Sequence, residues 1–505
     1  DDFGNLSRLS SNNISINSDE TFLATTSLST IDSGYAIFQA YITRENYNTN
    51  RTFSRAELNV TFISFNQTIP DYRNFILYQD YQPRLNISNL GVYCVTVSFG
   101  VGHICTVFVN SSTISYYVKI NFLSSGAVLS STIIPPPPKI PSLPQQNFRM
   151  MQMPYGGYIF DSNSYSLSNN TSYHYIYAYD EDNDLIDSFS IYTNEFDVDA
   201  IMNNNTLLFA SPYTNSQNTS WSLLTIPMPQ VLMERDHGYE NLLVDKIIPP
   251  INAIVNSSTD ALKITFYEPI VLSTGNITIY KMSDNNIRQT VSGTVEAFCT
   301  IDSDEKTVII KVISSTFNEY GQLYSVIMDN NFVKSKDYNE PLKGIVGGIL
   351  KYYSTYRTQP SESDICSARL TTEATIKFLN LSKYEQYKYF DSLLDEISIK
   401  LPVNRERLNI FGNPRSIYNP ITTLENIEFY ILIVNLPNPS QNDKNIPGVI
   451  SDLDTMITYK MVTDFSFGLT NDLDSSFGFK SSGELIISFK DVIRLSKQIF
   501  KQISK

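Results

Sequence analysis

Tryptophan occurs once in this 505-residue chain, at Trp221, and histidine three times, at His103, His174 and His237. No two of the histidines are close in sequence, and none neighbours a Ser or Cys in a nucleophile motif. Gly-x-Ser-x-Gly, the phosphate-binding loop and His-Glu-x-x-His are all absent. Lone histidines in Tyr-rich strands read as structural, because acid–base catalysis needs a placed partner. Only 17% of residues are charged, and the formal net charge is −14. A field of that sign repels phosphate backbones and argues against a nucleic-acid partner. No apolar run approaches the roughly 18 residues of a membrane-spanning helix. The sequence opens Asp1-Asp2-Phe3, which does not read as a signal peptide and suggests a processed product or an excised fragment.

Cysteine is also scarce: Cys94, Cys105, Cys299 and Cys366. Their spacing is not that of zinc ligands. Cys94 and Cys105 flank Gly100-Val101-Gly102, which suits a short-range bridge. Cys299 and Cys366 then pair by elimination, although sequence alone does not choose among connectivities. The alternative is four buried free thiols, since free Cys is a common core residue.

What the chain has in quantity is Tyr (33) and Phe (29), with 42% hydrophobic residues overall. With Thr, Ile and Val these favour pleated, half-buried surfaces, so a mainly β fold is expected. At about 150 residues per domain the length predicts roughly three domains.

Asn-x-Ser/Thr triplets are also abundant, and unevenly placed. Thirteen begin between Asn5 and Asn276, and only Asn380 follows. They start at Asn5, Asn13, Asn50, Asn59, Asn66, Asn86, Asn110, Asn169, Asn170, Asn204, Asn218, Asn256 and Asn276. The first 276 residues hold 29 Asn and the remainder 17, so Asn content alone does not explain the contrast. Each triplet marks a candidate glycan, which needs a solvated loop in a secreted protein. Chance in a Ser/Thr-rich chain is the competing explanation.

Residues 1–235 alternate in short runs between turn clusters, which predicts all-β structure. A weak repeat runs through them. Gly34-Tyr-Ala-Ile-Phe, Gly102-His-Ile-Cys-Thr-Val-Phe, Gly156-Gly-Tyr-Ile-Phe and Asn205-Thr-Leu-Leu-Phe each open a unit. The units continue to Leu58–Phe65, Ser115–Phe122, Ser172–Asp180 and Ser220–Ile226. That period fits propeller blades of four strands; an irregular β-sandwich is the alternative. The proline run Pro135–Pro138 reads as an outward loop between units.

Ile247-Ile248-Pro249-Pro250 marks a boundary, and residues 246–358 then alternate cleanly. Leu262, Ile264 and Phe266 share a face, as do Ile277/Ile279, Val295/Ala297/Cys299, Val308/Ile310/Val312 and Tyr324/Val326/Met328. Short strands at this spacing indicate an Ig-like β-sandwich. The segments Lys263-Ile-Thr-Phe-Tyr-Glu-Pro-Ile270, Thr274-Gly-Asn-Ile-Thr-Ile-Tyr280 and Tyr324-Ser-Val-Ile-Met328 resemble the bacterial Ig-like domain of S-layer proteins. That resemblance implies a fold and leaves function open. The whole chain also resembles large modular surface proteins of mycorrhizal fungi, in which such a domain follows propeller-like repeats.

Residues 366–489 change character. Ser382-Lys-Tyr-Glu385 is a capping box, followed by Tyr387, Phe390, Leu394 and Ile397 at helical spacing. Ile427, Phe429, Ile431 and Ile433 alternate as a strand, and Pro447 begins a second helix burying Val449, Ile450, Leu453, Met456 and Ile457. Strands near 373–380, 407–411 and 484–489 complete a ferredoxin-like α+β order. This region resembles the SEA modules of membrane-proximal glycoproteins. No Gly-Ser dipeptide occurs in it, so their self-cleavage is not carried over. Residues 490–505 form a basic amphipathic helix candidate, read as docked on the preceding domain in preference to a membrane surface.

Asp180, Asp182 and Asp184 have a spacing that suits calcium, but the template's turn Gly and terminal Glu are replaced by Leu185 and Ile191. A polar hairpin tip explains them better. Asp452/Asp454 and Asp472/Asp474 read as helix-start or turn carboxylates. No metal, cofactor or catalytic residue is nominated. The expectation is a non-catalytic, secreted or cell-surface modular glycoprotein for adhesion, assembly or extracellular binding, with protein or glycan partners. The alternatives are a propeller-borne extracellular glycan hydrolase and a self-assembling structural subunit.

Overall fold

The computed structural model describes residues 20–47, 51–64, 71–81, 87–97, 99–111, 115–134, 147–166, 171–194, 198–212, 221–256, 258–319, 321–354, 363–419, 424–435 and 444–481. The chain is mainly β, built from many small antiparallel sheets. It divides into two compact units. The first holds residues 1–244 with Glu268–Val271 and Val333–Lys343; the second holds Asp245–Tyr267, Leu272–Phe332 and Gly344–Lys505. The proline run 135–138, the candidate strand 484–489 and the candidate helix 490–505 fall outside the described residues.

In the first unit, β1 (Glu20–Ser29), β2 (Tyr35–Tyr47), β3 (Arg51–Ser64) and β4 (Asp71–Tyr81) form an up-and-down sheet. β5 (Ile87–Thr96), β6 (His103–Ser111), β7 (Ser115–Phe122) and β8 (Val128–Ile134) form a second. β9 (Asn147–Gln152), β10 (Tyr158–Ser166), β11 (Thr171–Tyr179) and β12 (Leu185–Asn194) form a third. β13 (Val198–Ile201), β14 (Thr206–Pro212) and β15 (Trp221–Pro227) make a fourth sheet of three strands.

The repeat motifs seen in the sequence are the second strands of these sheets, and the continuations are the third strands. Each unit therefore opens one strand earlier than the sequence suggests, because the Gly or Asn that announces it closes the preceding turn. Five hairpin turns of this unit share one hydrogen-bond pattern. The first residue's N–H donates to the carbonyl of the fifth, and the fourth residue's N–H donates back to the first: Thr30–Gly34, Leu123–Ala127, Met153–Gly157, Asp180–Asp184 and Met202–Thr206. The fourth residue always has positive φ: Ser33 (66°), Gly126 (84°), Gly156 (87°), Asn183 (70°) and Asn205 (61°). That is a three-residue hairpin, a type I turn followed by a left-handed residue. Gly and Asn meet that requirement with least strain.

The sheets are held face to face by alternate side chains. Ala36, Phe38, Ala40 and Ile42 of β2 and Ala56, Leu58, Val60 and Phe62 of β3 are buried with Val107, Val118, Ile120 and Phe122 of the second sheet. Tyr117 meets Phe160 of the third sheet at 4.8 Å between ring centroids. Ile176 and Ala178 pack with Leu207 and Phe209 of the fourth. β7 is buried along nearly its whole length, and so is β10 from Tyr158 to Ser162, since both faces are covered. Truncating one such buried aromatic to Ala costs about 3–5 kcal/mol.

In the second unit, β16 (Val244–Ile248), β17 (Ile254–Val255), β18 (Ala261–Phe266), β19 (Ile270–Leu272), β20 (Asn276–Lys281), β21 (Asn286–Ser292), β22 (Cys299–Ile301), β23 (Thr307–Lys311), β24 (Leu323–Met328), β25 (Val333–Ser335) and β26 (Ile345–Ser354) follow in order. They form a four-stranded sheet, β16-β18-β23-β22, and a five-stranded sheet, β17-β26-β24-β20-β21. The short ladder of β19 and β25 falls largely with the first unit. The expected strand through Val295 and Ala297 is shorter. Residues 293–298 are turns closed by Val295 N–H to Ser292 O and Cys299 N–H to Val295 O, and pairing begins at Cys299.

β27 (Ser363–Arg369), α1 (Thr372–Leu379), α2 (Lys383–Lys400), β28 (Leu408–Asn419), β29 (Leu424–Val434), α3 (Ile446–Thr458) and β30 (Lys480–Ser481) complete this unit. The sheet order β28-β29-β27-β30 is antiparallel throughout, and Phe378, Leu393, Ile397, Leu453 and Met456 of the helices share one core with it. Residues 373–380 are helical, where a strand is expected from the sequence. Thr371 accepts from Ala374 N–H as the cap, and Ala374, Thr375 and Phe378 are buried on one face at helical spacing. The first strand of this sheet is instead Ser363–Arg369.

A Cβ on Gly126 would lie 2.3 Å from Cγ of Phe75. Gly126→Val should therefore lower unfolding free energy by roughly 2–4 kcal/mol, from overpacking added to a strained φ. Asn183→Gly should change it by less than about 1 kcal/mol, because Gly accepts the same φ. Urea denaturation of both variants tests this, and a Gly126→Val protein as stable as the parent would contradict the turn assignment.

Candidate functional site

The most chemically loaded cluster lies at the turn end of the first two sheets. His103 opens β6, opposite Thr96 of β5 and Phe122 of β7, and Ser124 follows β7 in its turn. His103 Nδ1 lies 3.2 Å from Thr96 Oγ1, and Nε2 lies 3.0 Å from Ser124 Oγ. Thr96 Oγ1 donates in turn to the Ser29 carbonyl at 2.9 Å. Glu340, from the Val333–Lys343 segment, accepts from Ser124 N–H at 2.8 Å and is hydrogen-bonded to Ser124 Oγ. The imidazole packs on the rings of Phe62 and Phe122 at 5.7 and 5.4 Å. His103 and Glu340 are 2% and 4% exposed.

Burial pushes the His103 pKa down to about 4, with Asp32 opposing, and it pushes the Glu340 carboxyl up. Ser124 Oγ donates to Glu340, Thr96 Oγ1 donates to the Ser29 carbonyl, and the two imidazole nitrogens lie against these hydroxyls. Hydrogen bonds thus tie these buried polar groups to one another and to the backbone, as a buried network requires. A nucleophilic triad would place the carboxylate on the far nitrogen of the imidazole. Here a threonine hydroxyl holds that position and the carboxyl sits on the serine. The cluster joins buried polar groups and ties the Val333–Lys343 segment to the turn after β7.

The other histidines differ. His174 Nδ1 lies 2.9 Å from both oxygens of Asp161, with both residues buried and Phe209 4.8 Å away. His237 is exposed, its ring 6.2 Å from that of Tyr239. The structure thus keeps the three histidines apart.

Asp180, Asp182 and Asp184 form a hairpin tip. Asp180 Oδ1 accepts from the N–H groups of Asp182 (3.0 Å) and Asp184 (2.8 Å). At the equivalent position of the first turn Thr30 Oγ1 accepts from Gly34 N–H at 3.0 Å, so the carboxylate performs a turn-capping task. Among the described residues no group of three His, Cys, Asp or Glu is arranged to hold a metal.

Cys94 and Cys105 are disulfide-bonded directly across β5 and β6. Cys299 and Cys366 are separate buried thiols, one on β22 and the other inside the core of the β27 sheet, so the pairing expected for them is not formed. Burial pushes each of these two thiols up to about 12.

The triplet asparagines differ in access. Asn5, Asn13, Asn50, Asn66, Asn86, Asn169, Asn170 and Asn218 lie outside the described residues. Asn59 sits in mid-strand, paired on both sides, with a buried Oδ1. Asn110 accepts from Ser115 Oγ, Asn276 donates to Asp329, and Asn256 accepts from Ser258. Asn204 and Asn380 are exposed, at a turn and at a helix end.

One buried network was not legible as such. Lys444 Nζ pairs with Asp452 Oδ2 at 3.0 Å, and Asn318 Nδ2 donates to the same oxygen. Arg288 donates to the carbonyls of Ser315 (2.6 Å) and Lys400 (3.1 Å) and pairs with Glu319 at 3.3 Å. Burial pushes the Lys444 ammonium down and the Asp452 carboxyl up, each opposed by the other's charge. Asp452 is thus a buried helix residue, while Asp454 accepts from Phe479 N–H, Asp472 from Tyr389 and Asp474 from Ser476. The network joins the two large sheets' loops to α2 and α3 within the second unit.

No family model and no curated protein matches this chain. Among solved structures, one described as the crystal structure of the eukaryotic initiation factor is similar at 9% identity over 63% of this chain and 89% of that chain, with a TM-score of 0.15. That superposition is too poor to inform fold or function. No described helix is long and apolar enough to cross a membrane.

The buried cluster sets a pH dependence. As pH falls from 6.5 to about 4, the unfolded chain protonates its histidine before folded His103 does, so stability is lost across that window. Glu340, raised in the fold, acts oppositely and recovers stability as pH falls. His103→Gln should therefore flatten the decline in Tm between pH 6.5 and 4, and Glu340→Gln should steepen it. Parallel curves for all three proteins would contradict these opposite shifts.

Proposed function

We propose that this chain is a non-catalytic, secreted or cell-surface modular glycoprotein that serves adhesion, assembly or extracellular binding. The observation that carries the reading is the buried Cys94–Cys105 bridge, set in the same unit that holds most of the glycosylation triplets. A disulfide of this kind persists in oxidising compartments. The stacked four-stranded meanders are propeller-like in our reading. The pair of β-sheets that follows is Ig-like, and the β27–β30 sheet with its helices is ferredoxin-like and SEA-like. Peptide-level mass spectrometry of the native protein, before and after removal of N-glycans, tests the reading. Occupied asparagines and a bridged Cys94–Cys105 are expected; bare asparagines with reduced thiols would overturn it.

One observation favours self-assembly as a second reading. β15 ends its sheet after three strands, where the other three meanders have four. It holds no charge and is exposed along almost its whole length, with Trp221 at 60% and Leu223 at 66%. Uncharged open edges are templates for strand addition. If this edge drives assembly, Leu223→Lys should abolish concentration-dependent association in sedimentation. Unchanged association would remove β15 from consideration.

A further inference from the structure

Beyond Asn276 the chain carries a single glycosylation triplet, Asn380-Leu381-Ser382, and the structure gives it an unusual setting. Asn380 is the exposed C-terminal cap of α1, and Ser382 is the N-terminal cap of α2. The corner between them is tightly built. Gln386 Nε2 donates to the carbonyls of Phe378 and Leu381, both at 3.2 Å. Ser382 and Glu385 close the reciprocal capping box, with Ser382 N–H donating to Glu385 at 2.8 Å. Leu381 packs against the core, which leaves Asn380 outside on a fixed backbone.

Four large apolar side chains flank this corner in the open. On α1, Ile376 is 54% and Leu379 50% exposed; on α2, Tyr384 is 66% and Tyr387 60% exposed. Ile376 and Asn380 are four residues apart, on one side of α1, while Phe378 turns to the core. Lys388 lies over the Tyr384 ring at 4.8 Å from its centroid. Exposed apolar groups concentrated over twelve positions call for a cover. A sugar chain suits this surface, because its C–H faces stack on aromatic rings while its hydroxyls stay in water. It is also bulky and solubilising.

We propose that Asn380 is N-glycosylated and that its proximal sugars cover the Ile376–Leu379–Tyr384–Tyr387 surface. The covalent bond forms between Asn380 Nδ2 and the anomeric carbon of a lipid-linked oligosaccharide. The amide loses a proton and the lipid diphosphate leaves. The proposal rests on the glycoprotein reading above, and adds which triplet of this unit is used and what its glycan does. Asn204, exposed at a turn of the first unit, is the internal reference.

The test is to express the full chain in a glycosylating eukaryotic host and map glycopeptides. Tyrosine nitration by tetranitromethane is then measured peptide by peptide, before and after endoglycosidase treatment. A glycan at Asn380 is expected, with nitration of Tyr384 and Tyr387 rising several-fold on its removal. Asn380→Gln should show the same high nitration without enzyme treatment. Asn380 bare while Asn204 is occupied would overturn the proposal and leave the glycoprotein reading standing. Both bare would overturn both. An occupied Asn380 with unchanged nitration would overturn the covering role.

Discussion

The first unit depends on one constraint: its sheets are apolar on faces that only another sheet can cover. A lone four-stranded meander leaves too much of such a face in water to be stable. Phe38 and Phe62 against Phe122, Tyr117 against Phe160, and Ile176 and Ala178 beside Leu207 and Phe209 are successive links in one packed series. β7 and β10 show the consequence, since their side chains are buried on both sides. The edge strands β8 and β15 are mostly exposed among the described residues.

Packing sheets in series requires each hairpin to be short and to leave its strands in register. The five shared turns do this with one backbone solution and five different sequences. Only the fourth position is constrained, to Gly, Asn or, at residue 33, Ser. The first position is free to carry a side-chain cap, a hydroxyl at Thr30 and a carboxylate at Asp180. A metal-like spacing of acids thus arises from turn geometry alone.

Much of the fold was legible because alternation survives wherever one face is buried. β2, β3, β18 and β23 follow it, as do the capping box of Ser382 and the N-terminal Pro447 of α3. The phase of the repeat was not legible, because the Gly and Asn signals mark turn ends and not unit starts. α1 was misread as a strand because Thr372, Thr375 and Ile376 are β-branched; the Thr371 cap and the buried Ala374 and Phe378 outweigh their propensity. The Cys94–Cys105 bridge was legible from its spacing and the Gly-rich turn between. Glu340 was not, since 216 positions separate it from Ser124 and no local pattern announces a buried carboxyl. Lys444 and Asp452 are only eight apart, yet nothing in their neighbourhood says that both are buried.

Both units use buried polar groups to fix loops onto sheets or helices. In the first the groups form a chain of hydrogen bonds through His103, Ser124 and Glu340, and in the second they are compensated charges. The most direct test of sheet stacking is native-state hydrogen exchange on the whole protein. Amides of β2, β3, β6, β7, β10 and β11 should exchange with one common free energy, and those of β8 and β15 far earlier. Separate exchange of each sheet, with its own free energy, would contradict stacking as the source of the unit's stability.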